Sequence, residues 1–114
     1  MMEAESEPKR PERRPRAELS SRQRKHLKGL AHHLDPLVRV GQEGLDERIA
    51  GALSEALERH ELVKVKVLEG APIGRAEAGP WLAEACGAHH IGTIGRIAIL
   101  YRRHPEKPQI TLPR

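Results

Sequence analysis

The chain has 114 residues, 38% hydrophobic and 32% charged, which suffices for one domain with a small core and not for two. Its formal net charge is +4 with an isoelectric point of about 9.6, and the single cysteine, Cys86, excludes an intramolecular disulfide framework. No apolar run approaches the ~18 residues of a membrane span, and the polar N-terminus lacks the apolar stretch of a signal peptide, so a cytoplasmic protein is predicted.

Residues 1–18 hold five basic and five acidic groups, three prolines and almost no apolar side chains. Such a stretch buries too little surface to order itself and reads as a disordered arm, either inert or an auxiliary binding contact. A first helix is predicted from Ser20, which has Gln23 at capping-box spacing. Leu27, Leu30, Ala31 and Leu34 recur at helical spacing as an apolar stripe. Arg24, Lys25, Lys28 and His32 line an adjacent face, with Arg22 one turn earlier. Pro36 ends the helix, because the residue before a proline avoids the helical region.

Leu37–Val40 reads as a short strand, followed by the tight loop Gly41-Gln42-Glu43-Gly44. Asp46 caps a second helix running to about His60, with Ile49, Leu53, Ala56 and Leu57 inward. Leu62–Leu68 alternates, Val63, Val65 and Val67 on one face and Lys64 and Lys66 on the other, which predicts a half-buried strand with a cationic open face. A third helix covers roughly Arg75–Cys86, with Gly87 as its C-cap. Pro80 either kinks it or opens its regular part. His89–Ile94 and Ile97–Arg102 form a hairpin around Gly95-Arg96. Residues 105–114 return to extended, proline-containing chain, so the domain proper is predicted over 19–104.

The predicted order is α-β-α-β-α-β-β: an α+β, two-layer fold with a mixed four-stranded sheet and its helices mainly on one face. Phe is absent, so the core is Leu, Val, Ile and Ala, with Trp81 expected among them and Tyr101 assigned to neither core nor surface.

The charge is segregated. Residues 19–34 carry four cations and no acid, whereas residues 35–61 carry seven acids and three cations. A cationic face without interspersed acids suits a polyanion. Lys64, Lys66, Arg96, Arg102 and Arg103 extend it. Gly-x-x-G occurs at Gly41–Gly44 and again at Gly92–Gly95. The first lies between a strand and a helix, where glycine admits close backbone approach to a phosphate. The second falls in the hairpin and reads as turn geometry. Glu43 opposes an anion at the first loop.

Metal chemistry has little to build on. The pairs His32-His33 and His89-His90 diverge in direction, and neither a Cys pair nor an HExxH motif occurs. Neither a Walker loop nor a GxSxG elbow is present, and Cys86 falls at an apolar helix end. The expectation is a protein that is not an enzyme and holds no metal or cofactor. With only two large aromatics, RNA recognition would rest on backbone and shape more than on base stacking. An alternative is a protein-interaction module docking on a basic partner through acids of the second helix: Asp46, Glu47, Glu55, Glu58 and Glu61.

The segments RKHLKGLAHHLDPLVRVGQEGL (24–45), ALERHELVKVKVL (56–68) and GAHHIGTIGRIAILYRR (87–103) resemble the YhbY-like proteins. These are single-domain bacterial members of the CRM (chloroplast RNA splicing and ribosome maturation) family. The resemblance covers residues 19–114. It implies a fold like the C-terminal domain of translation initiation factor three. It also implies RNA binding through a basic face and a KH-like loop, here Gly41, Gln42, Glu43 and Gly44. The implied role is in large ribosomal subunit assembly, on ribosomal RNA or its precursor particle, with a monomer favoured. Glu43 departs from the Asn or basic residue expected in that loop; Pro80 and the 18-residue arm also depart from the shortest members.

Overall fold

The computed structural model describes residues 18–114, so the predicted arm lies outside the described residues apart from Glu18. Seven elements follow in the predicted order: α1 (Ser21–Ala31), β1 (Val38–Val40), α2 (Glu47–His60), β2 (Leu62–Val67), α3 (Arg75–Cys86), β3 (His89–Ile94) and β4 (Ile97–Tyr101). The sheet order is β1-β2-β4-β3. β1 runs parallel to β2, and β4 is antiparallel to both neighbours. The hairpin strand β4 therefore fills the position between β2 and β3 that the crossover through α3 leaves vacant.

Strand alternation builds two cores on opposite faces. Val38, Val40, Val63, Val65, Ala98 and Leu100 pack with Leu53 and Leu57 of α2 and Leu82, Ala83 and Cys86 of α3. Leu62, Ile91, Ile99 and Tyr101 pack on the other face with Leu27 and Ala31 of α1. Two of three helices thus share a face, as expected, while α1 adds a partial third layer. The consequence for β2 is a correction: its lysine-bearing face is not fully open, because α1 covers Leu62 and the Lys64 ammonium donates to the Leu34 carbonyl at 2.8 Å.

Local chemistry sets the element ends. The Ser20 hydroxyl accepts from the Gln23 N–H at 3.1 Å, and Gln23 Oε1 accepts from the Ser20 N–H at 2.9 Å, completing the capping box. Asp46 caps α2 through the Ile49 N–H at 3.0 Å. Gly87 closes α3 at φ 63°, and Gly95 makes the hairpin turn at φ 61°. α3 begins at Arg75 and is continuous through Pro80. α1 stops at Ala31, before the predicted end, and Leu30 and Leu34 of the predicted apolar stripe each remain 39% exposed.

Trp81 is a second correction, since it is 42% exposed rather than core. The buried stripe of α3 is Ala78, Gly79, Leu82, Ala83 and Cys86, and Trp81 falls beside it. Tyr101 takes the core position instead, at 2% exposure, with its hydroxyl unpartnered among the described residues.

Beyond β4 the chain is held by Glu61, the one buried charged side chain among the described residues. Its carboxylate accepts from the backbone N–H groups of His104 (2.8 Å), Gln109 (2.9 Å) and Ile110 (2.8 Å). Ile110 and Leu112 then pack on the α1 core beside Leu19, and Gln23 Nε2 donates to the Pro113 carbonyl at 2.9 Å.

Candidate nucleic-acid interface

Strand direction gathers three loops at one end of the sheet. The Gly41–Gly44 loop leaves the C-terminal end of β1, and the segment after β2 emerges beside it, with the Leu68 N–H donating to the Val40 carbonyl at 2.9 Å. The Gly95-Arg96 turn joins them, its Arg96 carbonyl accepting from the Val67 N–H at 2.8 Å.

Within the first loop the two glycines differ. Gly44 is buried at φ 76°, and a Cβ there would meet Pro72 Cγ at 3.0 Å. Only glycine suits both demands. Its N–H donates to the Gly41 carbonyl at 3.0 Å, closing the turn. Neither Gln42 nor Glu43 donates its backbone N–H to another described residue. A shallow pocket of about 320 Å³ is lined by all four loop residues with Arg48 and Ile49.

The Glu43 carboxylate, the predicted obstacle to an anion, pairs with Arg48, which also lies 3.6 Å from Asp46. Both partners are 74% exposed, so the pair contributes little to stability and is readily exchanged. Sequence reasoning passed over Arg48, although its position as the second residue of α2, just after a short loop, made contact with Glu43 foreseeable.

α1 carries the basic stripe across the opposite face from α2 and α3. Its middle member, Lys28, lies over Gly92 of β3, where a Cβ would stand 3.0 Å from Lys28 Cε. Arg24 is anchored by donation to the His90 carbonyl at 3.0 Å. Arg22, Lys25 and His32 are exposed. Lys66 is exposed on the same face, while Lys64 is half-buried against the chain after α1. Arg39, unremarked in the sequence, stands directly opposite Lys66 across β1 and β2. Its place between Val38 and Val40 was a signal, since alternation puts it on the face of the lysines.

Arg102 does not join this group. Its guanidinium donates to the Cys86 carbonyl (2.8 Å), the Ser54 carbonyl (3.0 Å) and the Ser54 hydroxyl (3.2 Å), and pairs with Glu58 at 3.3 Å. Those ties lock it among α2 and α3, across the sheet from α1. The second Gly-x-x-G is strand and turn, as predicted: Gly92 sits in β3 and Gly95 in the hairpin. Neighbouring His89 and His90 diverge. His89 stacks on Tyr101, with ring centroids 6.1 Å apart, whereas His90 packs against Gly79 of α3 with Nε2 2.8 Å from Thr93 Oγ1. Burial pushes the His90 pKa below its ordinary value, and the Arg24 charge adds to that against an opposing backbone hydrogen bond at Gly92. No three metal-ligating side chains converge among the described residues.

Known proteins are similar to this chain in sequence and in fold. The chain is 41% identical over 96 residues to an RNA-binding protein of Haemophilus influenzae, covering 84% of this chain and 96% of that one. It is 34% identical over 95 residues to the Probable RNA-binding protein YqeI of Bacillus subtilis, covering 83% of this chain and 99% of that one. The solution structure of the hypothetical protein SAV1595 from Staphylococcus aureus superposes with a TM-score of 0.72 at 32% identity, over 84% of this chain and all of that one. A model of the CRS1 / YhbY (CRM) domain matches residues 19–102. By that match, and by its identity to these relatives over most of their length, the chain belongs to the CRS1 / YhbY (CRM) domain family.

Proposed function

We propose that this protein binds RNA without catalysing a reaction, and that its target is large-subunit ribosomal RNA or the precursor particle that contains it. One observation carries the RNA reading: Lys28, on the acid-free helix α1, stands over Gly92 beside the end of the sheet where the Gly41–Gly44 loop and the Gly95-Arg96 turn emerge. Arg22, Lys25, Lys28 and His32 supply charge, Arg24 holds α1 to β3, and Lys66 and Arg96 continue the cationic surface. The loop presents the N–H groups of Gln42 and Glu43 to a phosphate. Names of relatives support RNA as the partner. The ribosomal target follows from the family resemblance, and the cytoplasm is the compartment it requires.

Docking through acids of α2 draws less support. Asp46 caps the helix, Glu58 pairs with Arg102 and His104, and Glu61 is buried, which leaves Glu47 and Glu55 of the five.

Cross-linking with sequencing, on tagged protein recovered across a sucrose gradient, tests the target. Co-migration with large-subunit precursors and adducts in one region of large-subunit RNA are expected. Scattered adducts at the top of the gradient sink the ribosomal assignment. The surface is tested by Lys25→Glu/Lys28→Glu, which should weaken RNA binding about tenfold or more, because two phosphate contacts become repulsive. Unchanged affinity moves the site elsewhere.

A further inference from the structure

α1 divides its face of the sheet unequally. One flank is covered by the C-terminal segment, where Ile110 and Leu112 pack and Pro113 accepts from Gln23. The other flank, toward the loop end, lies open. There the register aligns Arg39 with Lys66, Lys66 with Ile97, and Ile97 with Ile94, one residue from each strand in a row across the whole sheet. Three inter-strand spacings make that row about 14 Å long. Arg39, Lys66 and Ile94 are exposed and Ile97 is half-buried; Ile94, at 65%, is the most exposed large hydrophobic side chain described.

The row is polarised and bounded. Its β1 end carries two cations directly opposite each other, a repulsive cross-strand pair, and neither forms an ion pair among the described residues. Its β3 end carries two isoleucines. The Gly41–Gly44 loop starts two residues after Arg39, the Gly95-Arg96 turn follows Ile94, and Lys28 stands over Gly92 in the neighbouring row.

We propose that this row is the floor of the RNA track and takes a single strand, with phosphate at Arg39 and Lys66 and the face of an unpaired base on Ile94 and Ile97. This rests on the RNA-binding reading of the same end of the sheet. The unpaired cations call for a polyanion. The isoleucines choose among polyanions, because a duplex turns phosphates and sugars outward and keeps base faces stacked inside, whereas an unpaired base offers its apolar face. Aliphatic side chains take the place of the usual aromatic platform, since Tyr101 is buried and Trp81 belongs to α3 on the opposite face.

The test is fluorescence anisotropy with the full chain, at several salt concentrations. The probes are a mixed-sequence single-stranded RNA of about a dozen nucleotides and the duplex it forms with its complement. The wild type should bind the single strand about tenfold more tightly than the duplex. Arg39→Ala and Lys66→Ala should each weaken binding several-fold and reduce the slope of log K against log salt by about 0.7. Ile94→Ala should weaken single-strand binding several-fold with the slope unchanged, because an apolar contact releases no counterions, and should leave the duplex unaffected. Thermal melting of each variant checks the fold, which these exposed sites should not disturb. Duplex binding as tight as single-strand binding overturns the inference. So do unchanged slopes in Arg39→Ala and Lys66→Ala while Lys25→Glu/Lys28→Glu still weakens binding, an outcome that spares the RNA reading. Failure of the wild type to bind either RNA removes both and leaves protein docking through α2.

Discussion

Gly79 shows how one missing Cβ positions a strand. A Cβ there would stand 2.4 Å from the His90 ring, far inside contact distance. Gly79→Ala should therefore cost about 1–3 kcal/mol in urea denaturation, although alanine is the better helix former by roughly 1 kcal/mol. A gain in stability would show that His90 moves aside without penalty. His90 itself gives a pH signature. Burial, with the Arg24 charge, holds its folded pKa below the 6.5 of the free side chain. The unfolded chain then binds the extra proton first. This contribution is full above about pH 6.5 and is lost as pH falls through the lowered folded value. His90→Gln should flatten that part of the stability profile; a profile parallel to the wild type at pH 5–7 refutes the assignment.

At the scale of elements, α1 is held lightly. Only Leu27 and Ala31 are fully buried on it, so its seat depends on the C-terminal segment along its flank. That segment depends in turn on Glu61, which adopts φ 65° at the end of α2 and receives three backbone N–H groups. A non-glycine residue at that φ is strained, and the bonds of its carboxylate offset the cost. Glu61→Gln keeps the shape but loses one acceptor and the charge. It should destabilise by about 2–3 kcal/mol and speed hydrogen exchange over 104–112 ahead of the sheet. Uniform acceleration across the chain would mean that the segment does not open separately. The element order, both polar N-caps and the Gly87 C-cap were legible because each is written in adjacent residues. The exposure of Trp81 was not, because α3 packs through small residues that give no apolar period.

For the molecule as a whole, the sheet separates two chemistries. α2 and α3, which carry five acids and three arginines, occupy one face, and the cations of α1, a helix without an acid, share the other with Arg39 and Lys66. If single-stranded RNA on that surface engages about four to six phosphates, log K should fall with log salt at a slope of roughly −3 to −4. A flat response would mean that phosphate contact is not the source of affinity. The sequence alone determined the seven elements and their order, the family, and the basic stripe of α1, since helix and strand periods and caps are local properties. Tertiary structure alone decided which cations share a surface. Arg102 lies one residue beyond β4, yet its backbone N–H bonds Glu61 and its side chain enters the α2–α3 side, whereas Arg39, 27 residues from Lys66 in the chain, stands directly opposite it. Strand pairing sets that juxtaposition, and pairing joins residues far apart in the chain, so no local pattern contains it.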